Sequence, residues 1–316
     1  MSKSKFNATA TIVGKVVKKE IKDVGYGLGK VILKSNDDRV FYNVWNKKNN
    51  NNIVDNFMDT VEEEQQYFVM GKLTENEYDG NINRNIEAFV NKSGEVVNFN
   101  ESEDSKQKAV SSISGDIKKR NLRFKEDIPG VEKKGEPIPL LELKILIFNT
   151  YNRDNKDEPL SRDEVLKNEL LRNKEYAEEN EVEYDVKKLK KLYTSLKEDD
   201  SYTNVLNVYD KMKEMPIRIY NVDELNLTSY GELADKISEE VKEGMNITCA
   251  CYIKNQFKTM DYDEFGTPNE NSDDNTETIN RIEIAKFDGG YTDDKNIYGI
   301  NEKMLGEEDT TDKLKW

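Results

Sequence analysis

The chain has 316 residues, a charged share of 35% equal to its hydrophobic share and a formal net charge of -15, which leaves room for two ordinary domains with modest cores and long polar loops. It holds no histidine, so the commonest general base, the commonest zinc ligand and every Ser-His or Cys-His nucleophile are excluded. No apolar run approaches the roughly 18 residues that span a bilayer, and Met1-Ser-Lys-Ser-Lys-Phe6 lacks the apolar stretch of a secretory signal, so a cytoplasmic protein without membrane contact is expected.

In chain order, alternating apolar residues predict a first strand over residues 8–21, a glycine-rich turn at Gly25-Tyr-Gly-Leu-Gly29 and a second strand over 30–34. Asn36-Asp-Asp38 turns the chain into a third strand over 39–45. Ile53, Val54, Phe57, Met58 and Val61 then recur at helical spacing over 53–63. Strands over 67–73 and 82–90, joined by a polar loop, complete the series. Three strands, a helix and a two-strand hairpin is the order of an OB barrel.

The decisive feature of the sequence is an internal repeat. Thr11-Ile-Val-Gly-Lys-Val-Val-Lys-Lys19 returns as Ser112-Ile-Ser-Gly-Asp-Ile-Lys-Lys119, and Asn81-Ile-Asn-Arg-Asn-Ile-Glu-Ala-Phe89 as Thr278-Ile-Asn-Arg-Ile-Glu-Ile-Ala-Lys-Phe287. The second copy is expected to run through strands at 108–119 and 138–151, a third strand at Met215-Pro-Ile-Arg-Ile-Tyr-Asn221, a helix over 230–242, and strands at 246–257 and 279–287. An insertion at about 153–213 carries two charged amphipathic helices between its second and third strands. The fold expected is therefore mainly β, two tandem OB-fold barrels, with a first domain at 1–99, a linker at 100–106, a second domain at 107–291 and a flexible acidic tail at 292–316. Cys249 and Cys251 share one face of a strand and read as buried, unpaired thiols.

Charge is unevenly distributed. Up to Lys48 the chain is locally basic, while acid concentrates at 62–64, 175–183, 261–277 and 307–312. A cationic groove on an acidic body can hold phosphates while the remainder limits indiscriminate association. Alternation in the third strand sends Val40, Tyr42 and Val44 to the core and Arg39, Phe41, Asn43 and Trp45 outward, beside Lys30 and Lys34 of the second strand. Cations beside flat rings suit a single strand, whose phosphates pair and whose bases stack. Lys47 and Lys48 continue the positive path, and Tyr26, in the glycine-rich turn, is a further candidate stacker. Arg84 joins the set from strand five. In the second copy the candidates are Arg218 and Tyr220 near the third strand, with Phe257, Lys258, Tyr262 and Phe265 on the hairpin, where Asp261, Asp263 and Glu264 crowd it with negative charge.

Arg39-Val-Phe-Tyr-Asn-Val-Trp-Asn-Lys47, followed by a helix, Tyr67-Phe-Val-Met-Gly-Lys-Leu73, a polar hairpin and Asn85-Ile-Glu-Ala-Phe-Val90, resembles the bacterial and phage single-stranded DNA-binding protein family. In that family the third strand carries an aromatic just before a Gly-Lys, and a glycine after strand four begins a long DNA-contacting hairpin. Trp45 and Lys47 match the first feature with Asn46 in the glycine's place; Gly71 and Tyr78 match the second. The resemblance implies a non-enzymatic protein, without cofactor or metal, that coats single-stranded DNA in phage or bacterial replication or recombination. It also implies a phage-type monomer or dimer, since the family usually carries one barrel per chain. The acidic end with Trp316 is similar to tails that recruit replication partners, a role also open to the helical insertion. Two other readings stay open: an OB-fold protein-interaction or virion-structural protein, and RNA in place of DNA. Asp37-Asp38 and Asp273-Asp274 sit in polar turns without a positioned base, and Gly25-Tyr-Gly-Leu-Gly29 lacks the Lys-Ser/Thr of a phosphate loop, so catalysis is not expected.

Overall fold

The computed structural model describes residues 6–78, 81–103, 105–124, 137–150, 160–257 and 278–291. It is mainly β, with a mixed sheet. Among the described residues two compact units emerge: a first drawn from 8–113 with 250–257 and 278–286, and a second drawn from 6–7, 114–249 and 287–291. Among the described residues no helix is long and apolar enough to cross a membrane.

The first unit runs through β1 (Asn7–Lys22), β2 (Leu28–Ser35), β3 (Asp38–Trp45), α1 (Ile53–Thr60), β4 (Gln66–Tyr78), β5 (Asn81–Val90) and two short strands, β6 (Val96–Val97) and β7 (Phe99–Glu101). β1 pairs antiparallel with β2, β2 with β3, β3 runs parallel to β5, β5 is antiparallel to β4, and β4 returns to β1. The five strands thus form a closed circuit, OB-like in its order, with α1 between β3 and β4. Alternation fills it: Ala10, Ile12, Val31, Leu33, Tyr42, Val44 and Val69 point inward and are buried. Phe99 of β7, unforeseen in sequence, packs its ring against Tyr42, Phe57 and Tyr67 with centroids 5.5, 4.8 and 4.6 Å away.

The second unit contains most of β8 (Lys108–Phe124), then β9 (Pro139–Phe148), three helices, α2 (Arg162–Glu179), α3 (Val186–Glu198) and α4 (Tyr202–Lys213), then β10 (Val222–Tyr230) and α5 (Gly231–Glu240); β11 (Asn246–Phe257) and β12 (Thr278–Tyr291) follow. In strand order β8, β9, β10, β12 and β11 are neighbours, and β11 also pairs with β8. Cys249 and Cys251 on β11 are free and buried.

Two expectations need correction. The insertion holds three helices, the third opened by Ser201, whose side chain accepts from the Asn204 amide, with Val205, Val208, Tyr209 and Met212 buried. The third strand of the second copy is β10, and Met215-Pro-Ile-Arg-Ile-Tyr-Asn221 is an irregular segment before it. Met215 and Ile217 are buried in alternation, which imitates a strand, but the segment is held instead by Glu169 of α2, which accepts the Tyr220 amide at 2.7 Å.

The repeat extends to individual side chains. β1 bulges between Val16 and Lys18, and β8 between Ile117 and Lys119. Lys19 donates through Nζ to the carbonyls of Met58 and Val61 at 2.8 and 2.7 Å, closing the C-terminus of α1. Arg120 donates to those of Ser238 and Val241 at 2.6 and 2.8 Å, closing α5 in the same way. The Lys19 and Arg120 amides donate to Glu63 and Glu243. Gly14 and Gly115 occupy equivalent places because a side chain has no room there: a Cβ would lie 2.8 Å from the Lys34 carbonyl oxygen in one copy and 2.5 Å from that of Leu146 in the other. Adding that one carbon by Gly14→Ala is expected to cost roughly 1–3 kcal/mol through overpacking. Urea denaturation should report a lowered midpoint; an unchanged one would mean that the strands part freely there.

Candidate nucleic-acid interface

The β2–β3 hairpin sets the candidate surface. Because Val40, Tyr42 and Val44 are buried, their alternates on β3 turn outward. Arg39 is exposed and sits opposite Lys34 in the register. Phe41 is half-buried, and the Lys30 ammonium lies 4.3 Å from its ring centroid. Burial lowers the Lys30 pKa, with Lys22 adding to the effect. Trp45 is 41% exposed.

Two members of that outward set are anchored by a residue that sequence reading missed. Glu87 of β5 lies beside Asn43 in the parallel register. Its carboxylate accepts from Asn43 Nδ2 at 3.2 Å and from Trp45 Nε1 at 2.7 Å. Asn43 is therefore buried, a correction to its expected place on the open face, while Trp45 keeps its ring partly exposed with its one donor satisfied. No local pattern could reveal this, because the partnership depends on a β3–β5 pairing that spans the helix and β4.

Lys47 and Lys48 are exposed just beyond β3. Next to them a cleft of about 580 Å³ is lined by Lys22, Tyr26, Gly27, Asn46 and Asn51, with Tyr26 60% exposed. Gly27 has φ +104, a conformation that favours glycine, and a Cβ there would lie 2.8 Å from Asn46 Nδ2. The structure thus gathers Lys30, Lys34, Arg39, Phe41, Trp45, Lys47, Lys48 and Tyr26 on the first unit's hairpin and its ends.

The remaining candidates lie elsewhere. Arg84 is buried, with Nε 2.7 Å from the Glu75 carboxylate and a further donor 2.6 Å from the Asn280 carbonyl, so its charge is spent internally. Tyr78 ends β4 opposite Asn81, and Phe257 ends β11. Lys258, Tyr262, Phe265 and the acidic tail lie outside the described residues. Arg218 and Tyr220 are exposed before β10 rather than on it; the guanidinium lies 5.7 Å from the Tyr220 ring, which also meets Tyr176.

No family model and no curated protein sequence matches the chain. Among solved structures it is similar to the wild-type single-stranded DNA binding protein from Thermus aquaticus, with a TM-score of 0.43 and 10% identity over 89% of this chain and 92% of that one. It is also similar to a chain of a replication protein A heterotrimer bound to single-stranded DNA, with a TM-score of 0.18 and 10% identity over 78% of this chain and 44% of that one. Likenesses this distant carry no argument about function, which has to come from the surface itself.

The equivalent surface of the second unit differs. Its registers place Glu142 where Lys30 stands, Leu146 for Lys34, Glu224 for Arg39, Asn226 for Phe41 and Tyr230 for Trp45. Leu146 is fully buried. Glu224 is reached by Lys118 at 2.9 Å and by Lys144 and Lys213 at 3.3 Å. Burial pushes the Glu224 pKa up, but these lysines outweigh it and hold it at about 2. Lys213 ends α4, and Asp210 of the same helix lies 2.6 Å from Lys118. The insertion thus packs where the first unit leaves cations and rings open.

Burial raises the Glu87 pKa above 4.5, with Asn43, Trp45 and Lys72 opposing. A raised carboxyl favours the folded state below its unfolded pKa and loses that advantage as pH rises through the folded value. Relative to wild type, Glu87→Gln should therefore gain stability as pH is raised above 4.5. Paired urea titrations across that range test the sign, and a constant difference between the two proteins would refute it.

Proposed function

We propose that this chain is a non-enzymatic, single-stranded DNA-binding protein of two tandem OB-type barrels, and that it coats strands exposed in replication or recombination without sequence preference. The observation that carries the reading is the outward row Lys34, Arg39, Lys30, Phe41 and Trp45 on β2 and β3. The cations can pair with backbone phosphates, and the exposed Trp45 ring offers a face on which any base can stack, worth about 1–3 kcal/mol per base. Pinning the Trp45 indole through Glu87 lowers the entropy lost on binding. The row is confined to the first unit. Acid at Glu142 and Glu224, together with the buried Leu146, argues against the same binding mode in the second, whose barrel serves as a scaffold for the helices.

Fluorescence provides the test, since the chain has 2 tryptophans, Trp45 and Trp316. Titration with oligo-dT should quench emission, and Trp45→Ala should remove most of the quenching and weaken binding by about 1–3 kcal/mol. Arg39→Gln should reduce the slope of log affinity against log salt by roughly 0.7, the value for one phosphate neutralised on a single strand. Asn226→Ala, at Phe41's place in the second unit, should leave binding unchanged. A parallel titration with oligo-U measures the preference for DNA over RNA. Binding that ignores both salt and Trp45→Ala would refute the reading and leave a protein-interaction role.

A further inference from the structure

The second unit carries a charged surface that the function above does not use. α3 contains Lys187, Lys188, Lys190, Lys191 and Lys197 against a single acid, Glu198, in a chain whose net charge is -15. Its apolar side, Leu189, Leu192 and Leu196, is buried, so the lysines are forced outward and Lys187, Lys190, Lys191 and Lys197 are exposed. Lys188 lies 3.9 Å from Glu214. Among the described residues no carboxylate forms an ion pair with the other four.

One feature makes this arrangement unfavourable for the helix alone. Lys187 lies three and four residues from Lys190 and Lys191, and Lys188 three from Lys191, so like charges are neighbours on one surface, each such pair costing a few tenths of a kcal/mol. The helix end itself is closed by Asp185, whose carboxylate accepts the Lys187 and Lys188 amides at 2.8 and 3.0 Å and offsets the positive end of the dipole. A bound anion would relieve the repulsion among the lysines.

We propose that the outer face of α3 is a second phosphate-binding surface, which engages the sugar-phosphate backbone of single-stranded nucleic acid; it rests on the function proposed above. Nucleic acid suits the face better than a protein does. Along α3 the exposed residues are lysines, Thr194, Glu198 and a single apolar side chain, Val186 at its start, with no exposed ring of the kind that centres a protein interface. The ring that α3 itself carries, Tyr193, is half-buried and faces Lys167, whose ammonium lies 5.6 Å from its centroid. Flexible point charges without a stacking platform are what sequence-blind attraction to phosphates requires.

The test uses the full chain with Lys187→Gln, Lys190→Gln, Lys191→Gln and Lys197→Gln combined. Glutamine matches lysine in helix propensity, and all four sites are exposed, so folding should be retained. With poly-dT as the probe, the slope of log affinity against log salt should fall by roughly 2 to 3, at about 0.7 for each phosphate no longer neutralised. Quenching of Trp45 at saturation should persist. An unchanged slope overturns the α3 surface while leaving the β2–β3 row standing. A reduced slope in a protein whose binding is untouched by Trp45→Ala upholds α3 and overturns the row. An unchanged slope accompanied by abolished binding to a poly-glutamate probe would assign the helix to an acidic protein partner, and it too overturns the proposal.

Discussion

The candidate surface depends on the burial of alternate residues along β3. With Val40, Tyr42 and Val44 sealed in the first unit, Arg39, Phe41 and Trp45 turn to the other side of the strand, where Glu87 holds the buried Asn43 between the last two. Tyr42 fixes this most strongly: it is fully buried, touches Phe57 and Phe99, and burial drives its phenol pKa up. A slip of one residue would bury Arg39 and Trp45 and expose Tyr42, at a cost that no outer interaction could offset. The pairing Lys34 with Arg39 and Ile32 with Phe41 is therefore a consequence of core packing.

The same framework occurs twice and carries two different exteriors. Both copies keep the bulge, the crowded glycine, the basic residue that closes the helix and the glutamate that receives its amide. The exterior of β2 and β3 is cationic and aromatic, whereas that of β9 and β10 pairs its charges internally, Glu142 with Arg123 and Glu224 with Lys118, Lys144 and Lys213, and is partly covered by α4. The insertion is tied down by Arg162, which lies 2.7 Å from the fully buried Asp116 of β8, and by Tyr202, whose hydroxyl donates to the Ile117 carbonyl at 2.5 Å. Asp116 stands where the first copy has Lys15, so one exchanged charge gives the helices a foothold.

Much of this was legible in the sequence because it follows local periodicity. The strands of the first unit, α1 and the inward and outward sets of β3 are short-range patterns, and the glycine-centred repeat was plain. What escaped depended on distant partners. Glu87 looked like any polar strand residue, yet parallel pairing brings it to Asn43 and Trp45. Arg84 looked like a phosphate ligand, yet cross-strand pairing sets it against Glu75. β10 was hidden by Asp223, Glu224 and Asn226, which resemble a turn, while the buried Met215 and Ile217 imitated a strand. The third helix of the insertion did carry a signal in Ser201 and the spacing of Val205, Val208, Tyr209 and Met212.

The doubled helix closure by Lys19 and Arg120 bears on which positions tolerate exchange. These latches draw only on backbone carbonyls, so they impose nothing on the side chains displayed across the opposite face. Each half can therefore hold its shape whatever its outer strands display, and helices can be mounted on one copy without altering how the other is closed.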